Sequence, residues 1–277
     1  MQPDKSLYND VMKKSFASLL HFMECKFSLS KKQVLFAILV LLIIGLGLRC
    51  GYWMMRDHPP RDEQLYIQNV EGIIKNDDYR KKDYTFGPLM PMLAANVARF
   101  GLEPETALRS LNVAYSILWL LMMFLLCYEV FSSSTAGLLG MMLAAFNPYS
   151  IRMSCQILRE PLYLLIFTAG LWLAVRFIKN QSLNPLYPLL LAGLTMLGFF
   201  TRYEGIEISL FLPLAVIVIF MQYKWQRVRM CFYSLAIYIV SFSLLIGALI
   251  NSDNNYIRGT NQRVIGYFRL FTGNGLK

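Results

Sequence analysis

Val34-Leu35-Phe36-Ala37-Ile38-Leu39-Val40-Leu41-Leu42-Ile43-Ile44-Gly45-Leu46-Gly47-Leu48 is a run without one polar side chain. With Gln33 and Cys50 at its flanks it is just long enough to cross a hydrocarbon layer as a helix. A polar stretch, residues 1–33, precedes it and carries Lys5, Lys13, Lys14, Lys26, Lys31 and Lys32. This flank is too long for the n-region of a signal peptide and has no A-x-A cleavage pattern, so the apolar run reads as a retained anchor. The lysines place the N-terminus in the cytoplasm and the residues after Leu48 outside.

Six more apolar segments follow, at about 110–131, 134–149, 160–177, 186–200, 205–221 and 230–250. The expectation is an all-α integral membrane protein with about seven transmembrane helices, the one at 186–200 being short. The composition agrees: 56% of the 277 residues are hydrophobic and only 16% are charged, too apolar for an ordinary soluble domain. A net charge of +10 raises nucleic acid as a partner. The basic residues flank apolar runs, however, where they set topology or meet anionic lipid, and nucleic-acid binding is set aside. The five cysteines and two histidines lack metal-ligand spacing. No cofactor is expected, and the sequence leaves a divalent metal open.

Residues 49–109 form the first long outer loop, with nine basic and nine acidic residues. Tyr66, Val70, Ile73 and Ile74 recur at helical spacing, predicting a helix from near Asp62, with Asp62 as its N-cap. Leu89, Leu93, Val97 and Phe100 predict a second, between Gly87-Pro88 and Gly101. Two such amphipathic helices, joined by the charged hairpin 75–83, are expected to lie flat on the membrane. Alternating the segments places Arg176 and Lys179, then Lys224, Arg227 and Arg229, on the cytoplasmic side.

The same alternation gathers three charged stretches outside: Arg61-Asp62-Glu63, Asn147 to Pro161 with Arg152, Arg159 and Glu160, and Thr201-Arg202-Tyr203-Glu204-Gly205. Taken singly, each charge ends a helix and needs no further account. Short connections nevertheless force them to one depth. Arginine matches phosphate geometry and a desolvated carboxylate serves as a general base, so the set suits phosphate binding with proton transfer. No Walker-type loop is present.

These stretches resemble the polytopic lipid-linked glycosyltransferases of the GT-C class. The likeness is to bacterial members of the dolichyl-phosphate-mannose-protein mannosyltransferase superfamily, which includes the lipid A aminoarabinose transferases. The features that carry it are Asp62-Glu63 followed by Tyr66, then Gly87-Pro88-Leu89-Met90-Pro91-Met92-Leu93 leading through Arg109-Ser110-Leu111-Asn112. Phe146-Asn147-Pro148, Glu160-Pro161-Leu162-Tyr163 and Thr201-Arg202-Tyr203-Glu204-Gly205 complete the order, across about residues 34–210. The resemblance implies a GT-C-like helical bundle that transfers a sugar from a polyprenyl-phosphate carrier to an acceptor lipid, glycan or protein on the extracytoplasmic face. It implies Asp62 as the base, Glu63 as its support and Glu160 as the second acidic position. Arg159 and Arg202, with Arg152 as a weaker candidate, would hold the carrier phosphate, and Tyr66 and Glu204 would belong to the site. A bacterial inner membrane follows from the same likeness.

Such enzymes usually have more membrane helices and a soluble C-terminal domain. The organisation expected here is a cytoplasmic segment 1–33, a membrane domain 34–250 and an outer tail 251–277, shorter than that family pattern. The competing class is a non-enzymatic polytopic protein, either a transporter of lipid-linked intermediates or an assembly partner. A transporter would carry ionisable residues in mid-helix and repeated halves. Charges here sit mostly at helix ends, with Glu207 a partial exception, and no repeat is visible.

Overall fold

The computed structural model describes residues 29–55, 61–75, 87–180, 184–223 and 228–250. Among them every regular element is helical. Helix α1 (Lys31–Met54) begins at a capping box in which the Ser30 hydroxyl accepts from the Gln33 N–H and the Gln33 side chain accepts from the Ser30 N–H. It runs past Leu48, so Arg49, expected as the first loop residue, lies inside the helix and is fully buried. Then come α2 (Arg61–Ile74), α3 (Leu89–Ala98), α4 (Pro104–Phe131), α5 (Ser134–Phe146), α6 (Pro148–Cys155), α7 (Glu160–Asn180) and α8 (Leu186–Thr201). A 3-10 stretch, Tyr203–Leu210, leads into α9 (Phe211–Tyr223), and α10 (Val228–Ile250) follows.

Four stretches are long and apolar enough to cross a membrane: α1, α4, α7 and the continuous Tyr203–Met221. The chain is therefore a helical protein built for a membrane. Four candidate crossings thus stand among the described residues where about seven are expected, accompanied by shorter apolar helices such as α5 and α8. The expected segment 134–149 is cut at Asn147. There the backbone turns extended, the Asn147 side chain accepts from the N–H groups of Tyr149 and Ser150, and Pro148 opens α6.

Side-chain bonds fix the directions of the helices. Asn112 donates to the Gln156 and Leu158 carbonyls, Trp119 Nε1 to Thr168, and Lys179 Nζ to the Glu129 carbonyl and Ser132 hydroxyl. Positions thus advance together along α4 and α7, which run parallel, with α5 as the return. The starts of α4, α7 and the 3-10 stretch share one end of the bundle with the ends of α1 and α8. Arg49 meets Ser116 there, and Arg202 meets Glu160. This is the end that carries all three charged stretches.

Helices α2 and α3 form as expected, from near Asp62 and after Gly87-Pro88. They pack over that end, in one core with the start of α4, the α6–α7 connection and the 3-10 stretch, through Tyr66, Val70, Met90, Leu108, Ile157 and Ile208. Helix α2 starts at Arg61, which places Asp62 in its first turn rather than at the N-cap. The buried face of α3 is Met90, Ala94, Ala95 and Ala98, whereas Phe100 is 90% exposed. Of the face read from the sequence, Leu89, Leu93 and Val97 pack half-buried against the same core, while the small side chains let the helix backbone sit close. Gly87 allows the entry to α3, since a Cβ there would fall 2.2 Å from the Phe200 carbonyl oxygen and 2.3 Å from that of Thr201. The hairpin 75–83 and the segments 1–28 and 251–277 fall wholly or mostly outside the described residues, as do Lys224 and Arg227.

Candidate functional site

The turn after α8 is only a few residues long, and it aims Arg202 at the first turn of α7. Arg202 Nε and Nη2 donate to Glu204 Oε2 and Oε1 at 3.1 and 2.9 Å, and Nη1 donates to Glu160 Oε1 at 3.0 Å. The planar guanidinium thus spans two carboxylates, with a bidentate grip on the nearer one. Its carbon also lies 5.6 Å from the centre of the Tyr163 ring, a cation–π distance. The hydrogen bonds to Glu204 outweigh partial burial and, with the charges of Glu204 and Glu160, hold the Arg202 guanidinium above its ordinary pKa. Arg202 is therefore a fixed cation held between two carboxyl groups. Glu160 Oε2 is buried and accepts no hydrogen bond.

A second cluster lies over the start of α4. Arg109 Nη2 is 2.7 Å from Glu105 Oε1, one turn earlier on the same helix, and 4.0 Å from Glu63 Oε2 on α2. Arg109 and Glu63 are almost wholly buried, at 3% and 1% exposure, while Glu105 is open to solvent. Arg109 Nε and Nη1 are buried and have no hydrogen-bond partner. Asn112, one turn further along α4, fastens the connection carrying Ile157 and Leu158, and so sets the position of Arg159 and Glu160. Asn112 links the two clusters.

The expected site residues therefore divide. Glu160, Arg202 and Glu204 come together in direct contact. The acidic pair of α2 is split: Glu63 is buried against Arg109, whereas Asp62 is exposed. Tyr66, one turn after Glu63, is buried at 1% exposure and packs in the apolar core. Arg159 is half-buried, its carbonyl accepting from Tyr163 N at the start of α7. Arg152 lies exposed in the last turn of α6.

Two buried arginines went unread as site residues. Arg109 has one sequence signal, the i,i+4 spacing from Glu105 near a helix start. Arg49 has none, because it closes an apolar run where a basic residue ordinarily marks a boundary. Its Nε donates to Ser116 Oγ at 2.6 Å and its Nη1 to the Gly45 carbonyl at 3.0 Å, with Nη2 3.5 Å from Ser150 Oγ. Cys155 Sγ donates to the Arg49 carbonyl at 3.1 Å, and both Cys155 and the neighbouring Cys50 are free thiols.

No protein-family model matches this chain, and no curated protein does. The functional reading rests on the site itself and on the motif likeness described above.

Proposed function

We propose that this protein is a membrane glycosyltransferase, or the catalytic part of one, moving a sugar from a polyprenyl-phosphate carrier to an acceptor hydroxyl or amine. The observation that carries the reading is buried polar capacity left unspent at one end of an apolar bundle: Glu160 Oε2, and Arg109 Nε and Nη1. Buried polar atoms in folded proteins are normally bonded, and a polar ligand would complete these. In this scheme Asp62, exposed on the first turn of α2, takes the acceptor proton. The acceptor oxygen or nitrogen attacks the anomeric carbon, and the bond from that carbon to the phosphate oxygen breaks. The carrier phosphate leaves with the electron pair, and Arg202 with Arg159 offsets its growing charge. Glu63 and Arg109 hold α2 onto α4 and so fix where Asp62 stands.

The orientation in this reading places the cluster outside the cytoplasm, in a bacterial inner membrane. The test is transfer of radiolabelled sugar by membranes containing the chain, with polyprenyl-phosphate sugars as donors and Asp62→Asn in parallel. Loss of a general base costs about 100- to 10,000-fold. Undiminished transfer by a well-folded Asp62→Asn would exclude that residue as the base.

One observation favours the non-enzymatic reading. Arg202 already spends three N–H groups on Glu160 and Glu204, as a purely structural clamp between α7 and α8 would. Correctly inserted wild-type chain that transfers nothing from any carrier would select that reading.

A further inference from the structure

At the opposite end of the bundle, α1 and α4 diverge and leave a groove of about 340 Å³. Its walls are Val34, Leu35 and Ile38 of α1 and Phe124, Leu125 and Tyr128 of α4; Lys31 and Ser134 lie at its mouth. The volume falls within the roughly 300–1,000 Å³ of small-ligand clefts. Polar atoms are concentrated at that mouth. Lys31 is exposed there in the first turn of α1, with Lys32 exposed at the next helical position outside the groove lining; Ser134 is the first residue of α5, whose N-cap Ser133 already spends its hydroxyl on Ala136 N.

We propose that this groove is a binding site for one anionic phospholipid, with the acyl chain along α1 and α4 and the phosphate at Lys31, where the exposed Lys32 beside it adds positive charge. Charge complementarity selects the headgroup. The same end carries Lys31, Lys32, Arg176 and Lys179, and Glu129 is the acidic residue among the described positions around it. Lys179 is engaged in closing the end of α4, while Arg176 stacks over Trp172. That leaves the two α1 lysines for a ligand. The shape selects a chain: the walls are apolar along their length, and α1 presents Leu35, Phe36 and Leu39 outward, so the groove is open sideways to lipid. Juxtamembrane lysines of this kind attract anionic headgroups. The site is remote from the glutamate–arginine clusters and does not depend on any catalytic role for them.

The test is native mass spectrometry of the full chain in detergent, titrated with phosphatidylglycerol and, separately, phosphatidylcholine of the same chain length. The expected result is a single saturating phosphatidylglycerol adduct at about tenfold lower concentration than phosphatidylcholine. Lys31→Gln with Lys32→Gln should reduce that preference to twofold or less. Leu125→Trp, which fills the groove and leaves the lysines in place, should weaken both lipids. Equal binding of the two lipids by wild type, or a preference retained in the double lysine variant, would overturn the proposal. Displacement of the lipid by millimolar inorganic phosphate would reassign the lysines to a free anion. A dimer that persists without lipid and is broken by Leu125→Trp would give the groove to a second copy, again overturning it.

Discussion

Arg49 and Arg202 both lie at the charged end of the bundle, and they are held in opposite ways. Arg202 is about one-quarter exposed and sits between two carboxylates. Arg49 is completely buried, and its guanidinium meets two serine hydroxyls and a backbone carbonyl. At Arg202 the cation is what keeps Glu160 and Glu204 from facing one another unshielded. At Arg49 neutral oxygens replace the water lost on burial, and each of them has other uses. Ser150 Oγ, for example, can donate to the Ala144 or Asn147 carbonyl. Burial therefore does not rank these arginines by the charges they answer, since the more exposed one faces two carboxylates.

The largest expected effect tests that contrast directly. Arg202→Ala should lower sugar transfer by about 100- to 1,000-fold, the cost of removing a preorganised electrostatic group, whereas Arg49→Met should keep transfer within a fewfold of wild type. If Arg49→Met also abolished transfer without unfolding, the distinction between a working and a structural arginine would collapse.

Stability separates the two sites on a smaller scale. Arg202→Ala should cost about 1–3 kcal/mol, discounted for its partial exposure, by leaving two carboxylates without their shared donor. Arg202→Lys should recover only part of this, since an ammonium cannot make the bidentate contact. Gly87→Ala, which forces a Cβ into the Phe200 and Thr201 carbonyls, should lower stability by a similar ~1–3 kcal/mol. It should do so without changing any charge, which separates packing from electrostatics at this end. Glu105→Gln should cost about 1–3 kcal/mol: its carboxylate is 39% exposed, but the Arg109 guanidinium it pairs with is 3% exposed, and the amide oxygen keeps only a neutral acceptor on that buried charge. Arg49→Met should leave the melting temperature within about 4 °C of wild type, because replacing a buried charge by an apolar side chain of similar size is often neutral. Thermal melts in a single detergent would rank all of these.

Much of this arrangement was legible in the residues. The long apolar runs at 34–48, 110–131 and 160–177 declare helices, and Glu160-Pro161 marks the start of α7 where the structure has it. The meeting of Glu160 with Arg202 follows from counting passes, since α7 out and α8 back return the chain to one face. Three features were less accessible. The break at Asn147-Pro148 sits inside a run whose hydropathy barely changes, so only local capping chemistry reveals it. The face that α3 buries most deeply joins Met90 to three alanines, which carry little weight in a hydrophobic pattern but allow a close backbone approach. The split of Asp62 from Glu63 depends on the roll of α2 about its axis, which Tyr66 and Val70 set through their contacts with other helices. Adjacent residues on a helix point about 100° apart, so two neighbouring carboxylates cannot both face the core.

The eight-residue 3-10 stretch at Tyr203–Leu210 has a consequence for length. Such a helix rises about 2.0 Å per residue against about 1.5 Å for an α-helix. Tyr203–Met221, 19 residues in all, therefore reaches about 32 Å, where a uniform α-helix would reach about 28 Å. A typical hydrocarbon core is about 30 Å thick. By winding its first turns more tightly, the chain stretches a segment that would otherwise stop short of the far interface, and it does so without another residue. The lengthening falls in the same turns that hold Glu204 beside Arg202.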